Sequence, residues 1–225
     1  MVALAFAVNV PVSADPPKVS MSKGSPLASP SAAPAQSSGT TEGKSVGAPT
    51  LKAQSMPFSV YSEQGAKSNH FIPSGWMGDY GDIKMNPGFT ENPHSGKTSA
   101  KITYSAKMTN NAGWSGVFWQ NPANNWGDKK GGYNLTGAKR LTFWARSDKG
   151  GEKISEFKVG GITGEYPDSD SASVGPIELT QQWKQYTIDL NGKDLSNIIG
   201  GFAWSASKDD NPNGFTIYLD DITYE

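Results

Sequence analysis

Leu141-Thr142-Phe143-Trp144-Ala145-Arg146 alternates in character from one residue to the next. A strand sends successive side chains to opposite faces, so Leu141, Phe143 and Ala145 share one face and Thr142, Trp144 and Arg146 share the other. The first face suits a core. The second sets a large flat aromatic beside a permanent cation and a hydroxyl, which suits a flat ligand rich in hydroxyl groups. The rest of the chain reads as a scaffold that pairs with this strand, covers its inner face and rings its outer face with loops.

Outward from this stretch the same period recurs. Pro57 to Glu63, Lys101 to Ala106, Trp114 to Gln120, Ile154 to Val159, Trp183 to Leu190, Ile198 to Ser205 and Phe215 to Tyr224 read as strands. Between them lie turn-rich segments: Ser74 to Asp82, where glycines separate aromatics, the Asn/Gly/Pro loop Asn121 to Gly132, and the loop Gly160 to Pro176. No stretch sustains a helical period. About eight or nine short strands and no helix point to an all-β fold, an antiparallel β-sandwich of jelly-roll type.

Composition sets further bounds. The chain has 225 residues, a formal charge of −1, no cysteine and two histidines, His70 and His94. Disulfides, thiolate catalysis and Cys-based zinc sites are excluded, and the weak net charge offers nothing to nucleic acid. Residues 1–14 are apolar and end in Val12-Ser13-Ala14, resembling a signal-peptide cleavage site; the stretch is too short to span a bilayer. Residues 15–56 are rich in Pro, Ser and Ala and read as a disordered linker. The folded domain is expected over 57–225, in a secreted or cell-surface protein.

Ser74-Gly75-Trp76, Leu141 to Arg146, Trp183 to Leu190, Gly200-Gly201-Phe202-Ala203-Trp204 and Phe215 to Ile222, with its Tyr-Leu-Asp-Asp-Ile, resemble the galactose-binding-domain-like jelly rolls. Many non-catalytic carbohydrate-binding modules of secreted polysaccharide-degrading enzymes share that fold. The resemblance covers Pro57 to Glu225, with no catalytic domain beside it. It implies a concave sheet that binds polysaccharide or another glycan, a separately encoded glycan-active enzyme as partner, and a structural calcium. Glu63 and Asp220 match the positions that hold calcium in those modules. A second oxygen-rich stretch, Asp209 to Gly214, is better explained as a β-turn.

Sugar rings offer apolar faces to Trp and Tyr, and a hydroxyl rim to Arg, Asp, Asn and Gln. On that chemistry the candidate ligand contacts are Trp144 with Arg146, Trp119 with Gln120, Trp126, Tyr166, Asp168 and Asp79. Each has a plainer alternative. Trp144 and Arg146 can form a cation–π pair on a solvated face, Trp126 can pin its loop, and Trp119 can belong to the core. Trp183 and Trp204 read as core. Glu165, Asp168 and Asp170 sit on a flexible loop, a poor place for a catalytic acid–base pair. A structural or protein-interaction module of the cell surface is the alternative function, ahead of a small glycan hydrolase or lyase.

Overall fold

The computed structural model describes residues 51–225. The expected signal peptide and nearly all of the expected linker lie outside the described residues. Residues 51–56 belong to the domain rather than to the linker. Ala53 bridges Asn134, the Gln54 N–H donates to the Asn134 carbonyl at 2.8 Å, and Met56 packs against the core.

Thirteen strands follow: β1 (Phe58–Tyr61), β2 (Ile72–Gly78), β3 (Ile83–Phe89), β4 (Ser99–Tyr104), β5 (Trp114–Gln120), β6 (Arg140–Ser147), β7 (Lys153–Ile154), β8 (Glu156–Gly160), β9 (Ser171–Val174), β10 (Ile177–Glu178), β11 (Lys184–Asp189), β12 (Gly200–Ser207) and β13 (Phe215–Tyr224). They form two antiparallel sheets. Sheet I runs β11-β6-β13-β4-β3, with β1 beside the end of β13; sheet II runs β2-β5-β12-β8-β9. The short β7 and β10 pair with each other.

The alternation in the central strands dictates the core. Leu141, Phe143 and Ala145 of β6 meet Trp119 and Val117 of β5, Phe202 and Trp204 of β12 and Phe157 of β8, all buried. Phe143 touches Phe157 at 4.6 Å and Phe202 at 5.2 Å between ring centroids, geometries at which aromatic pairs attract beyond their burial.

Two strands, β2 and β9, run through segments that the sequence presents as turns or loops, and a third, β3, through one it leaves unassigned. All three are sheet edges. β2 carries Pro73 and two glycines, β3 carries Pro87-Gly88, and both shift register beside the proline. An edge strand can lose a ladder donor without orphaning a neighbour, so proline is tolerated there and the strand signal is masked.

Candidate functional site

Trp144 and Arg146 lie on the outer face of sheet I, as the alternation requires. That face is not an open aromatic platform. His94, on the strap of residues 91–98, stacks on Trp144 with centroids 3.7 Å apart and planes at 15°. The strap is held down by His94 Nδ1 against Asp221 at 2.8 Å and by Trp183, whose Nε1 donates to the Asn92 carbonyl at 3.0 Å. Trp183 is therefore a half-buried surface residue and not core, whereas Trp204 is core. Next to the strap, rings and cations alternate across the sheet. The Arg146 guanidinium lies 3.7 Å from the Tyr218 ring and 5.2 Å from Trp183, and Lys101 lies 4.5 Å from Phe89 and 5.8 Å from Tyr218.

The outer face of sheet II is more open. Along β5, Trp114, Gly116 and Phe118 point outward while Ser115, Val117 and Trp119 point to the core. Trp114 is 40% exposed. Trp126, on the loop that follows β5, is 44% exposed and meets Phe118 edge-on, with centroids 6.2 Å apart. Trp114 and Phe118 are four positions apart, about 13 Å along the strand. Two exposed indoles thus share this face with the buried Phe118.

Beside them the floor is small, and Ile162, Met77 and Tyr166 pack against its Phe118–Ala203 end. Phe118 pairs with Ala203, which pairs with Lys158 and then Ser173; Gly116 pairs with Ser205, which pairs with Glu156. A Cβ on Gly116 would stand 2.5 Å from the Trp204 carbonyl and 3.0 Å from Met77 Cε, so only glycine permits this close packing. Lys158 and Glu156 stand two strands from β5, about 10 Å away. The result is a shallow face with stacking groups on one side and a cation and an anion on the other. Tyr166 packs beside Phe118 at its rim, with Lys130 5.9 Å from its ring. The hydrogen bond to Glu165 raises the Tyr166 hydroxyl above the usual tyrosine range.

Several expected contacts prove to be internal supports. Trp119 is 1% exposed and packs on Phe202. Gln120 is fully buried, accepts from Ser74 Oγ at 2.9 Å and donates to the Asn125 carbonyl at 2.9 Å, which fixes the base of the Trp126 loop. Asp79 is also buried. Its carboxylate accepts from the N–H groups of Asn110, Ala112 and Gly113 at 2.8, 3.0 and 2.8 Å, so it anchors the loop that delivers Trp114. Burial works to raise the Asp79 carboxyl, and those N–H groups together hold it below the usual range. Asp168 accepts from Ile162 N–H at 2.8 Å, Gly200 N–H at 3.2 Å and Ile199 N–H, tying the Tyr166 loop to β12. Its burial outweighs these bonds and pushes the carboxyl up. Of the expected contacts, only Trp126 and Tyr166 belong to the sheet II face. Nothing in the sequence singles out Trp114, Phe118, Glu156 or Lys158 as contacts.

The calcium expectation meets a different geometry. Glu63 accepts from Lys97 N–H at 2.6 Å, Thr98 N–H at 2.9 Å and Thr98 Oγ1 at 2.7 Å. Asp220 accepts from His94 N–H at 2.9 Å and Asp221 N–H at 2.9 Å. All four carboxylate oxygens thus face a donor; Asp220 clamps the middle of the 91–98 strap and Glu63 its C-terminal end. Among the described residues no three His, Cys, Asp or Glu stand together as a metal site. Calcium takes roughly six to eight oxygen ligands, backbone carbonyls and waters among them, of which these two carboxylates would supply only a part. Asp209 to Gly214 forms the turn between β12 and β13, with Asn211 Nδ2 donating to the Lys153 carbonyl at 2.8 Å.

With this geometry in view, solved structures of the same shape can be compared. One is the family 30 carbohydrate-binding module of the Clostridium thermocellum cellulosomal cellulase Cel9D-Cel44B: TM-score 0.53, 13% identity, covering 76% of this chain and 97% of that one. The chain has the fold of a carbohydrate-binding module. A second family 30 module gives a TM-score of 0.51 at 13% identity over 75% of this chain and 87% of the other. No family profile and no curated protein matches the sequence. Among the described residues no helix is long and apolar enough to cross a membrane.

Proposed function

We propose that this protein binds polysaccharide without catalysis, on the outer face of sheet II. The exposed indoles of Trp114 and Trp126, beside the small floor of Gly116, Ala203 and Ser205, carry the reading. Sugar rings stack on the exposed indoles, and Lys158 and Glu156 take hydroxyls at the polar side. The fold shared with carbohydrate-binding modules supports this reading, although a fold alone does not assign a ligand.

The carboxylates of the Tyr166 loop favour binding over hydrolysis. Asp168 spends its oxygens on backbone N–H groups, and Asp170 accepts from Ser171 N–H at 2.7 Å and Lys193 at 3.2 Å. The protein works outside the cell on this reading, alongside a separately encoded glycan-active enzyme. Affinity electrophoresis of the full chain against soluble glucans, xylans and mannans tests it. Retardation by one class, lost in Trp114→Ala and Trp126→Ala, is expected. A folded protein retarded by none would shift the reading to a protein-interaction module.

A further inference from the structure

The structure assigns a second ligand site to the opposite face of the sandwich: we propose that Arg146 and Lys101, on the outer face of sheet I, bind the oxyanions of an acidic polysaccharide. Arg146 is held between two rings, 3.7 Å from Tyr218 and 5.2 Å from Trp183. Its Nε is buried without a hydrogen-bond partner, and no ion pair among the described residues involves Arg146 or Lys101. The aromatic rings fix the guanidinium plane, and among the described residues its two Nη groups make no hydrogen bond, so the Nη edge is the one that meets a ligand. Such a fork matches a carboxylate or a sulfate in bidentate fashion, with little side-chain entropy left to lose.

Tyr218 is the register partner of both Arg146 and Lys101, which places the two cations two strands apart, about 10 Å. Two fixed cations at that separation suit repeated anionic groups along a polymer better than one small ion. The acidic groups nearby are already occupied or peripheral. Asp148 accepts from the Tyr218 hydroxyl at 3.2 Å, Asp221 pairs with His94, and Glu91 is exposed on the strap. They bound the site and limit its affinity without quenching Arg146.

The test uses the full-length protein at low ionic strength with two probes, polygalacturonate and dextran sulfate. Binding by at least one is expected, weakening as salt is added. Arg146→Gln should bind about tenfold more weakly, the scale of a lost charge-assisted bond. Arg146→Lys keeps the charge but loses the fork, and should fall between. Trp114→Ala should leave polyanion binding unchanged, which separates this site from the neutral-glycan face. Polygalacturonate alone would name a carboxylate as ligand, and dextran sulfate alone a sulfate ester. No binding to either probe, or equal affinity in wild type and both Arg146 variants, overturns the proposal. Should Arg146→Gln fail to fold, Arg146→Lys decides: affinity equal to wild type overturns it.

Discussion

Asp79, Asp168 and Gln120 show how single polar residues set the position of groups they do not resemble. Each is buried or half-buried, and each spends its side chain on backbone groups of a loop that carries an aromatic. Asp79→Ala leaves three N–H groups without their acceptor. It should cost about 1–3 kcal/mol in urea unfolding, the scale of hydrogen bonds to a charged group whose donors, on an exposed loop, water can partly satisfy. Glycan affinity should fall with it, since the loop it anchors leads into Trp114. Asp220 gives a pH signature. Burial first, and then the neighbouring Asp221 charge, raise its carboxyl from 3.8 to about 6. The folded state then holds the proton more tightly than the unfolded state. Asp220 therefore contributes stability below pH 3.8 that is lost as pH rises through about 6. Other carboxylates, such as Glu63 and Asp170, are held low and act in the opposite sense. The difference between wild type and Asp220→Asn isolates the effect. Wild type should lose stability relative to the variant between pH 4 and pH 6.5, by roughly 1–3 kcal/mol on a shift of about two units; a flat difference would contradict the assignment.

At the scale of elements, the central strands were legible and the edges were not. Trp114 to Gln120 and Phe215 to Tyr224 coincide with β5 and β13, because these mid-sheet strands are short apolar runs rich in aromatic and β-branched residues and bounded by turn signals. β2 and β3 disappear behind prolines that an edge tolerates, and β9 behind its short Ser-Ala-Ser-Val run. The choice of face was harder. Nothing within β5 says whether Trp119 or Phe118 points inward. The signal lay in β12, where Phe202 and Trp204 alternate with Gly201, Ala203 and Ser205: the small residues mark an outer floor and the large ones the core. Trp144 was placed on the correct side of its strand, yet the sequence could not show that His94 from a distant loop lies over it. The floor itself can be tested. Ser205→Leu fills the face beside Gly116 while touching little of the core, so stability should stay within about 1 kcal/mol while glycan retardation is lost. Retained binding in a folded Ser205→Leu protein would place the ligand elsewhere.

At the scale of the molecule, the sandwich separates two kinds of surface. Sheet II offers open indoles above a small floor with balanced charge. Sheet I offers rings already paired with cations, closed at one side by a strap that carboxylates lock in place. All four oxygens of Glu63 and Asp220 meet hydrogen-bond donors in that lock. Thermal midpoints should therefore be equal in calcium and in chelator; a midpoint raised by calcium would show that the strap opens to admit it, adding stability by mass action. The most direct test of the central claim is affinity electrophoresis of the full chain on a panel of neutral polysaccharides, comparing Trp114→Ala and Trp126→Ala with Trp183→Ala at matched stability. The account predicts retardation by one glycan class in wild type and Trp183→Ala, abolished in the other two. Loss in Trp183→Ala alone, with Trp114→Ala and Trp126→Ala unchanged, would contradict it.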